Sequence, residues 1–226
     1  MWHRRIALAL ALLAPLLLAA SGLGVRAGLW PFRTGFGMFA AALVVGLAGA
    51  GLAAVALAVP RLRAKPSLMV LALLLGLASA AVPLDHVRRV KTLPYINDIT
   101  TDSEHPPPLS HGKPYERHFA ELQRIGYPEL RPLELAAAPA RAFARARAVA
   151  QEQGWEIVSA DENAGSFEAV ATTRWFGFKD DIAVRISPAA HGSRVDVRSR
   201  SRVGRSDLGA NARRIREFLA ALEAAP

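Results

Sequence analysis

The sequence predicts a membrane-anchored α+β protein. Three transmembrane helices precede a domain with a four-stranded antiparallel sheet and flanking helices. Three observations carry this prediction. Three N-terminal runs lack any ionisable residue, residues 166–176 and 194–203 alternate with period two, and residues 115–125 and 208–223 place apolar side chains at helical spacing.

The apolar runs cover residues 6–25, 35–59 and 67–83. A helix needs about 20 apolar residues to cross a bilayer, with about 17 as the lower limit. The first two runs qualify, and the third sits at the limit but is dominated by Leu and Ala. The first is read as an uncleaved helix. Arg4, Arg5 and the segment Leu18-Ala19-Ala20, which resembles a small-residue cleavage site, also fit a signal peptide, although the stretch is long and Pro15 lies in its middle. Gly46, Ala50 and Ala54, then Gly76 and Ala80, repeat at four-residue spacing, which lets helix backbones approach closely. Intramembrane charges mark ion paths and proton relays, and these runs carry none, which argues against a pump or transporter.

Basic residues balance across the membrane. Arg4, Arg5, Arg61, Arg63 and Lys65 lie on one side, and Arg26, Arg33, Arg88, Arg89 and Lys91 on the other. The N-terminal amine tips the count toward a cytoplasmic N-terminus and a periplasmic domain at a bacterial inner membrane.

The chain's net charge of +9 invites a nucleic-acid reading. Residues 1–91 hold 10 Lys+Arg against Asp85 alone, a net of +9, whereas residues 92–226 hold 18 Lys+Arg and 18 Asp+Glu, a net of 0. The excess flanks the apolar runs, where lipid headgroups meet it, so no nucleic-acid partner is expected. Cysteine is absent, which removes disulfides and thiolate sites.

The chain divides into an anchor (1–91), an extended linker (92–114) and the α+β domain (115–226). Five prolines forbid continuous helix in the linker. Residues 115–125 form a short helix, with Phe119 and Leu122 on the face of Tyr115 and Ile125; residues 140–153 form a second, stopped by Gly154. Strands follow at 155–160, 166–176, 181–187 and 194–203, joined by short turns as a meander. In the last strand Val195, Val197, Ser199, Ser201 and Val203 face one way, and Arg194, Asp196, Arg198, Arg200 and Arg202 the other. Ser206 or Asp207 caps a final helix over 208–223, with Ile215, Phe218, Leu219 and Leu222 on one side. The order α-β-β-β-β-α places helices on one sheet face and leaves the other charged, wet or occupied.

Three segments carry a family resemblance: Ile96-Asn97-Asp98-Ile99-Thr100-Thr101-Asp102; Thr173-Arg174-Trp175-Phe176-Gly177-Phe178-Lys179-Asp180-Asp181; and residues 198–212, Arg198-Ser199-Arg200-Ser201-Arg202 through Asn211-Ala212. Together they resemble the family known as domain of unknown function 1499 over about residues 92–224. The resemblance implies a bacterial or chloroplast membrane-associated protein and supplies no substrate, cofactor or catalytic residue.

The leading candidate site is the strand-to-helix turn. Residues 198–216 hold seven Arg against one acid, Asp207, a local net of +6. Free N–H groups at a helix start, glycines that admit backbone approach and nearby arginines make an anion site, with Arg198, Arg200, Arg202, Gly204, Arg205, Ser206, Asp207, Gly209 and Asn211 as candidates. The competing reading makes the arginines a solvated strand face, paired with Glu156, Glu168 and Asp196, and Asp207 a simple cap. Asp98, Asp102, His105 and His111 have ligand chemistry but match no standard metal spacing, and turns explain such residues equally well. Asp180 and Asp181, beside Trp175, Phe176 and Phe178, have the composition of an acid/base pair at an aromatic pocket; a hairpin turn has it too. No phosphate loop, zinc motif or nucleophile elbow is present.

The reading is a non-enzymatic extracytoplasmic binding domain for an anionic small molecule, lipid headgroup or partner membrane protein, with no cofactor or metal. A hydrolase using Asp180 and Asp181, and a scaffold subunit binding membrane partners through Gly46 and Gly76, stand as alternatives.

Overall fold

The computed structural model describes residues 2–62, 65–112 and 114–225. Arg63 and the N-terminal amine, both used in the sidedness count, lie outside the described residues. The chain forms two compact units, Met1–Lys91 with Arg174–Gly177, and Thr92–Thr173 with Phe178–Pro226.

The first unit holds α1 (Trp2–Arg26), α2 (Phe32–Ala58) and α3 (Pro66–Thr92), each long and apolar enough to cross a membrane. The helix α3 continues past the predicted end at Pro83, which lies inside it. The extra turns are charged, and Asp85 accepts hydrogen bonds from Arg88 (2.9 Å) and Arg89 (2.6 Å), the i,i+3 and i,i+4 pairing that supports a helix beyond its apolar stretch. Small residues make the interior of this unit: Ala7, Ala11, Ala53, Ala56 and Ala72 form a seam with Met69. Leu16, Val44, Leu74 and Leu77 point outward. A Cβ on Gly76 would sit 2.5 Å from the Gly46 carbonyl oxygen, and one on Gly49 would sit 2.9 Å from the Ala11 nitrogen. The small residues thus let the helices of this unit touch by backbone. Gly46 and Gly76, offered above as a surface for partner proteins, face each other instead. Residues Arg174–Gly177 complete the unit; Trp175 and Phe176 meet Phe39 and Phe36 at centroid separations of 5.7 and 5.3 Å.

The second unit is α+β. Its elements are β1 (Asp98–Thr100), α4 (Arg117–Gly126), β2 (Leu133–Leu135), α5 (Pro139–Glu152), β3 (Glu156–Asp161), β4 (Ser166–Thr172), β5 (Lys179–Ala189), β6 (Gly192–Ser201) and α6 (Ala210–Ala224). The sheet has six strands rather than four, in the order β1-β6-β5-β4-β3, with β2 also on β6. The predicted meander is its β3–β6 part. The additional strands have three residues each, too short to show an alternation, and pair antiparallel with different stretches of β6: Ile99 opposite Ser199, and Glu134 opposite Arg194. The strand predicted to reach Phe176 stops at Thr172, because the chain closes into a loop there: the Thr173 amide donates to the Phe178 carbonyl and the Phe178 amide to the Thr173 hydroxyl, both at 2.8 Å.

One sheet face carries Phe167, Ile182, Val184, Val195 and Val197, all buried against Phe143 of α5 and Ile215 and Phe218 of α6. Phe143 meets Phe167 edge-on at 5.9 Å, and Trp155 stacks on Phe218 at 4.8 Å. The opposite face carries the charged set, and the proline-rich segment 102–112 covers part of it. Ser110 donates its amide to Glu168 (3.0 Å), and Arg198 donates to the Pro107 carbonyl (3.3 Å).

Candidate functional site

Period two along a strand sends neighbours to opposite faces, and this separates the two halves of the family segments. On the charged face Arg198 is fully buried. It makes a two-pronged ion pair with Asp98 of β1, at 3.0 and 2.8 Å, and its guanidinium lies 5.5 Å over the Tyr115 ring. Arg200 donates to the His111 carbonyl (2.7 Å) and reaches Asp181 (3.4 Å), and Arg202 donates to Asp181 through Nε (2.8 Å) and Nη2 (2.7 Å). Farther along, Asp196 and Asp102 share Arg185 and Arg194. The arginines at 198–202 therefore find acids, but these are Asp98 and Asp181. Glu168 instead binds Ser110, and Asp196 binds Arg185 and Arg194.

On the helix side, a buried polar cluster closes the end of the core. Arg214 of α6 donates to Asp180 (2.6 Å), to the Ser199 hydroxyl (2.9 Å) and to the Asn211 side-chain oxygen Oδ1; Ser199 donates to the same Asn211 Oδ1 (2.8 Å). The Asn211 side-chain Nδ2 donates to the Asn97 carbonyl and the Ser201 hydroxyl, both at 3.1 Å. Burial of such groups is tolerated only when each finds a partner, and residues from all three family segments supply them here.

The helix start is closed by its own chain. Asp207 accepts from the amides of Gly209 (2.9 Å) and Asn211 (2.8 Å), and Leu208 and Gly209 take positive φ values of 51° and 77° to bring the chain round. The amides expected to hold an anion thus hold Asp207. Burial pushes the Asp207 carboxyl above the ordinary range, against the pull of these two amides. Ser206 accepts from the Leu208 amide (3.4 Å), and the Gly204 carbonyl accepts from the Asn97 side chain (2.7 Å).

Asp180 and Asp181 lie within β5, not at its turn, and point to opposite sheet faces, each held by arginine. Trp175 and Phe176 belong to the helical unit. No acid/base pair at an aromatic pocket forms from these residues. Nor do Asp98, Asp102, His105 and His111 gather: Asp98 binds Arg198, Asp102 accepts from the amides of Glu104 and His105, and His111 offers its carbonyl to Arg200. Among the described residues no cluster of three His, Asp or Glu has metal-site geometry.

More than half of the chain, residues 98–222, matches the family described as protein of unknown function (DUF1499). The chain belongs to this family. No curated protein matches it. The DUF1499 match begins at the first residue of β1 and ends in α6, so it covers the sheet domain and leaves α1–α3 outside.

What the DUF1499 segments leave open is a cleft of about 630 Å³ at the end of β6. Arg200, Arg202, Gly204 and Arg205 line one part of it, and Tyr95, Asn97, Asp98, Glu116, His118 and Phe119 are among the residues that line other parts. Arg205 is exposed and makes no hydrogen bond or ion pair to any described residue. Beside the cleft's Pro114 and Glu116, the Tyr115 hydroxyl is buried and finds no hydrogen-bond partner among the described residues; burial first, and then the Asp98 charge, push its ionisation above the ordinary phenol range. Tyr95, Asn97, Glu116, His118 and Phe119 were not singled out as site residues in the sequence. They reach the cleft only because β1 pairs with β6 and α4 follows, and no local pattern signals that.

Proposed function

We propose that this chain is a membrane-anchored binding protein without catalytic activity, whose domain takes an anionic ligand in the cleft at the end of β6. We place the domain on the periplasmic side of a bacterial inner membrane, following the basic-residue count with its N-terminal amine. The small molecule, the lipid headgroup and the partner protein expected from the sequence share one requirement, an acidic group for the arginines. Arg205 is the observation that carries this reading. The other arginines of the turn have carboxylate, hydroxyl or carbonyl acceptors, whereas Arg205 stands in a cleft of ligand size with none among the described residues. An unpaired guanidinium at such a position offers a charge-assisted, two-pronged contact.

Native mass spectrometry of the full chain released from detergent micelles tests the reading. An anionic adduct is expected on the wild type and not on Arg205→Glu. An adduct equally abundant on both would remove the site from this cleft.

A further inference from the structure

We infer that the loop Arg174–Gly177 is a membrane-interface element, with Trp175 and Phe176 at the boundary between acyl chains and lipid headgroups. This stands apart from the anion cleft. It concerns the aromatic residues of the middle family segment, which do not line the cleft.

These four residues belong to the helical unit. The ends of α1 and α2 receive them, beside α3. A Cβ on Gly22 of α1 would overlap the Trp175 ring, so glycine is what leaves room for the indole. Trp175 also meets Phe39 of α2 at 5.7 Å, and Phe176 meets Phe36 at 5.3 Å. Phe36 and Phe39 in turn face His86 of α3 at 6.3 and 5.3 Å.

These positions mark a level. Gly22 lies three residues inside the end of its apolar run at Val25, and Phe36 and Phe39 lie one and four residues inside the start of theirs at Gly35. His86 lies three residues beyond Pro83, where the third run ends. At about 1.5 Å per residue, each falls within about 6 Å of the end of a run. Hydrocarbon gives way to headgroups where the apolar runs end, and amphipathic aromatic rings collect there. Trp30 joins the same level, since a Cβ on Gly24 of α1 would overlap its ring.

The backbone and charges of the loop fit that boundary. Irregular backbone is tolerated at membrane depth only where its polar groups find partners. Arg26 donates to the Arg174 carbonyl (2.6 Å), and Gly177, at φ 70°, turns the chain back. At this end the helical unit carries Arg26, Arg33, Arg88, Arg89, Lys91 and Arg174 against one acid, Asp85. That excess of cation complements anionic headgroups. Trp175 and Phe176 are only half-buried, which leaves ring surface for lipid.

The test reconstitutes the full chain in vesicles of phosphatidylcholine and phosphatidylglycerol and reads tryptophan fluorescence. Subtracting the signal of Trp175→Phe from that of the wild type isolates Trp175. Three quenchers are compared: a lipid brominated high on its acyl chain, a lipid brominated near the chain end, and acrylamide in the water. The expected result is quenching of the Trp175 component at least about twofold stronger by the upper bromine than by the lower. Phe176→Trp in the Trp175→Phe background puts a second reporter in the loop should the first substitution disturb folding, and each variant's thermal melt is recorded. Stronger quenching by the lower bromine would place the loop in the hydrocarbon core and overturn the boundary assignment. Quenching by acrylamide alone, or by none of the three, would take the loop away from lipid and overturn the inference altogether. None of these readings involves Arg205, so the anion cleft stands or falls separately.

Discussion

The two units of this protein bury opposite kinds of residue. Inside the helical unit the buried side chains are mainly Ala, Gly and Ser, while Leu and Val project outward. Inside the sheet domain the buried side chains include Phe143, Phe167, Phe218, Ile182 and Ile215. The difference is the one expected between helices long and apolar enough to cross a membrane and a domain that folds in water. In water, burying apolar area drives assembly, so large side chains go inside. In a bilayer the lipid tails are as apolar as leucine, so nothing is gained by hiding it. Helices associate there by close backbone approach, which small residues permit.

The sharpest way to break this comparison is to truncate large residues in both units. Phe218→Ala should destabilise the sheet domain by about 3–5 kcal/mol, whereas outward-facing Leu74→Ala should shift stability by no more than about 0.5 kcal/mol. Denaturant titration of the full chain in detergent, followed by tryptophan fluorescence, measures both. Equal losses would contradict the assignment of lipid to the outer face of the helices.

The sheet domain also buries charge, whereas no charged residue is among the described residues buried in the helices α1–α3. Removing one partner of the Asp98–Arg198 pair, as in Arg198→Ala, should cost about 3–5 kcal/mol, because Asp98 is then left charged and buried. Replacing both with apolar residues of similar size should recover much of that loss.

Overpacking probes the helical unit from the other direction. Gly76→Leu places a side chain against the Gly46 carbonyl and should destabilise the bundle by about 1–3 kcal/mol. Its melting temperature in detergent should fall, with that of the sheet domain unchanged.

A smaller effect is expected from Asp207. Its native carboxyl titrates above its unfolded value, so its favourable contribution is fully present below pH about 4 and is lost as pH rises through the native value. Relative to Asp207→Asn, the wild type should therefore lose stability between pH about 4 and neutrality, by about 1.4 kcal/mol for each unit of upward shift. A difference that grows in the other direction would mean that the two capping amides outweigh burial. Smallest of all, Arg205→Glu should leave stability within about 0.5 kcal/mol, since Arg205 has no described partner to lose, while removing ligand retention.

Residues 194–203 show how much of this fold is readable locally. Alternation there is strict because one face meets the core, and period two then determines which side chains are hidden. The three apolar runs are readable for the same reason, since length and absence of charge suffice to mark a membrane span. By contrast, β1 and β2 leave no trace in three residues, and the last turns of α3 are charged, so its apolar run ends before the helix does. The candidate site was readable only as residue types. The sequence shows arginines at 198, 200, 202 and 205, but Asp98 lies a hundred residues from its partner Arg198, and nothing local says which arginine it will neutralise.

The sequence by itself determined three helices long and apolar enough to cross a membrane, the α+β class, the family and the basic character of the β6 turn, because each depends on periodicity, length or composition within a short window. Tertiary structure alone decided which of those arginines are paired with acids and which one finds no partner among the described residues. That choice follows from antiparallel pairing of distant strands: β1 carries Asp98 to Arg198, β5 carries Asp181 to Arg200 and Arg202, and Arg205, one turn beyond the last paired residue, is left outside the sheet's ion pairs.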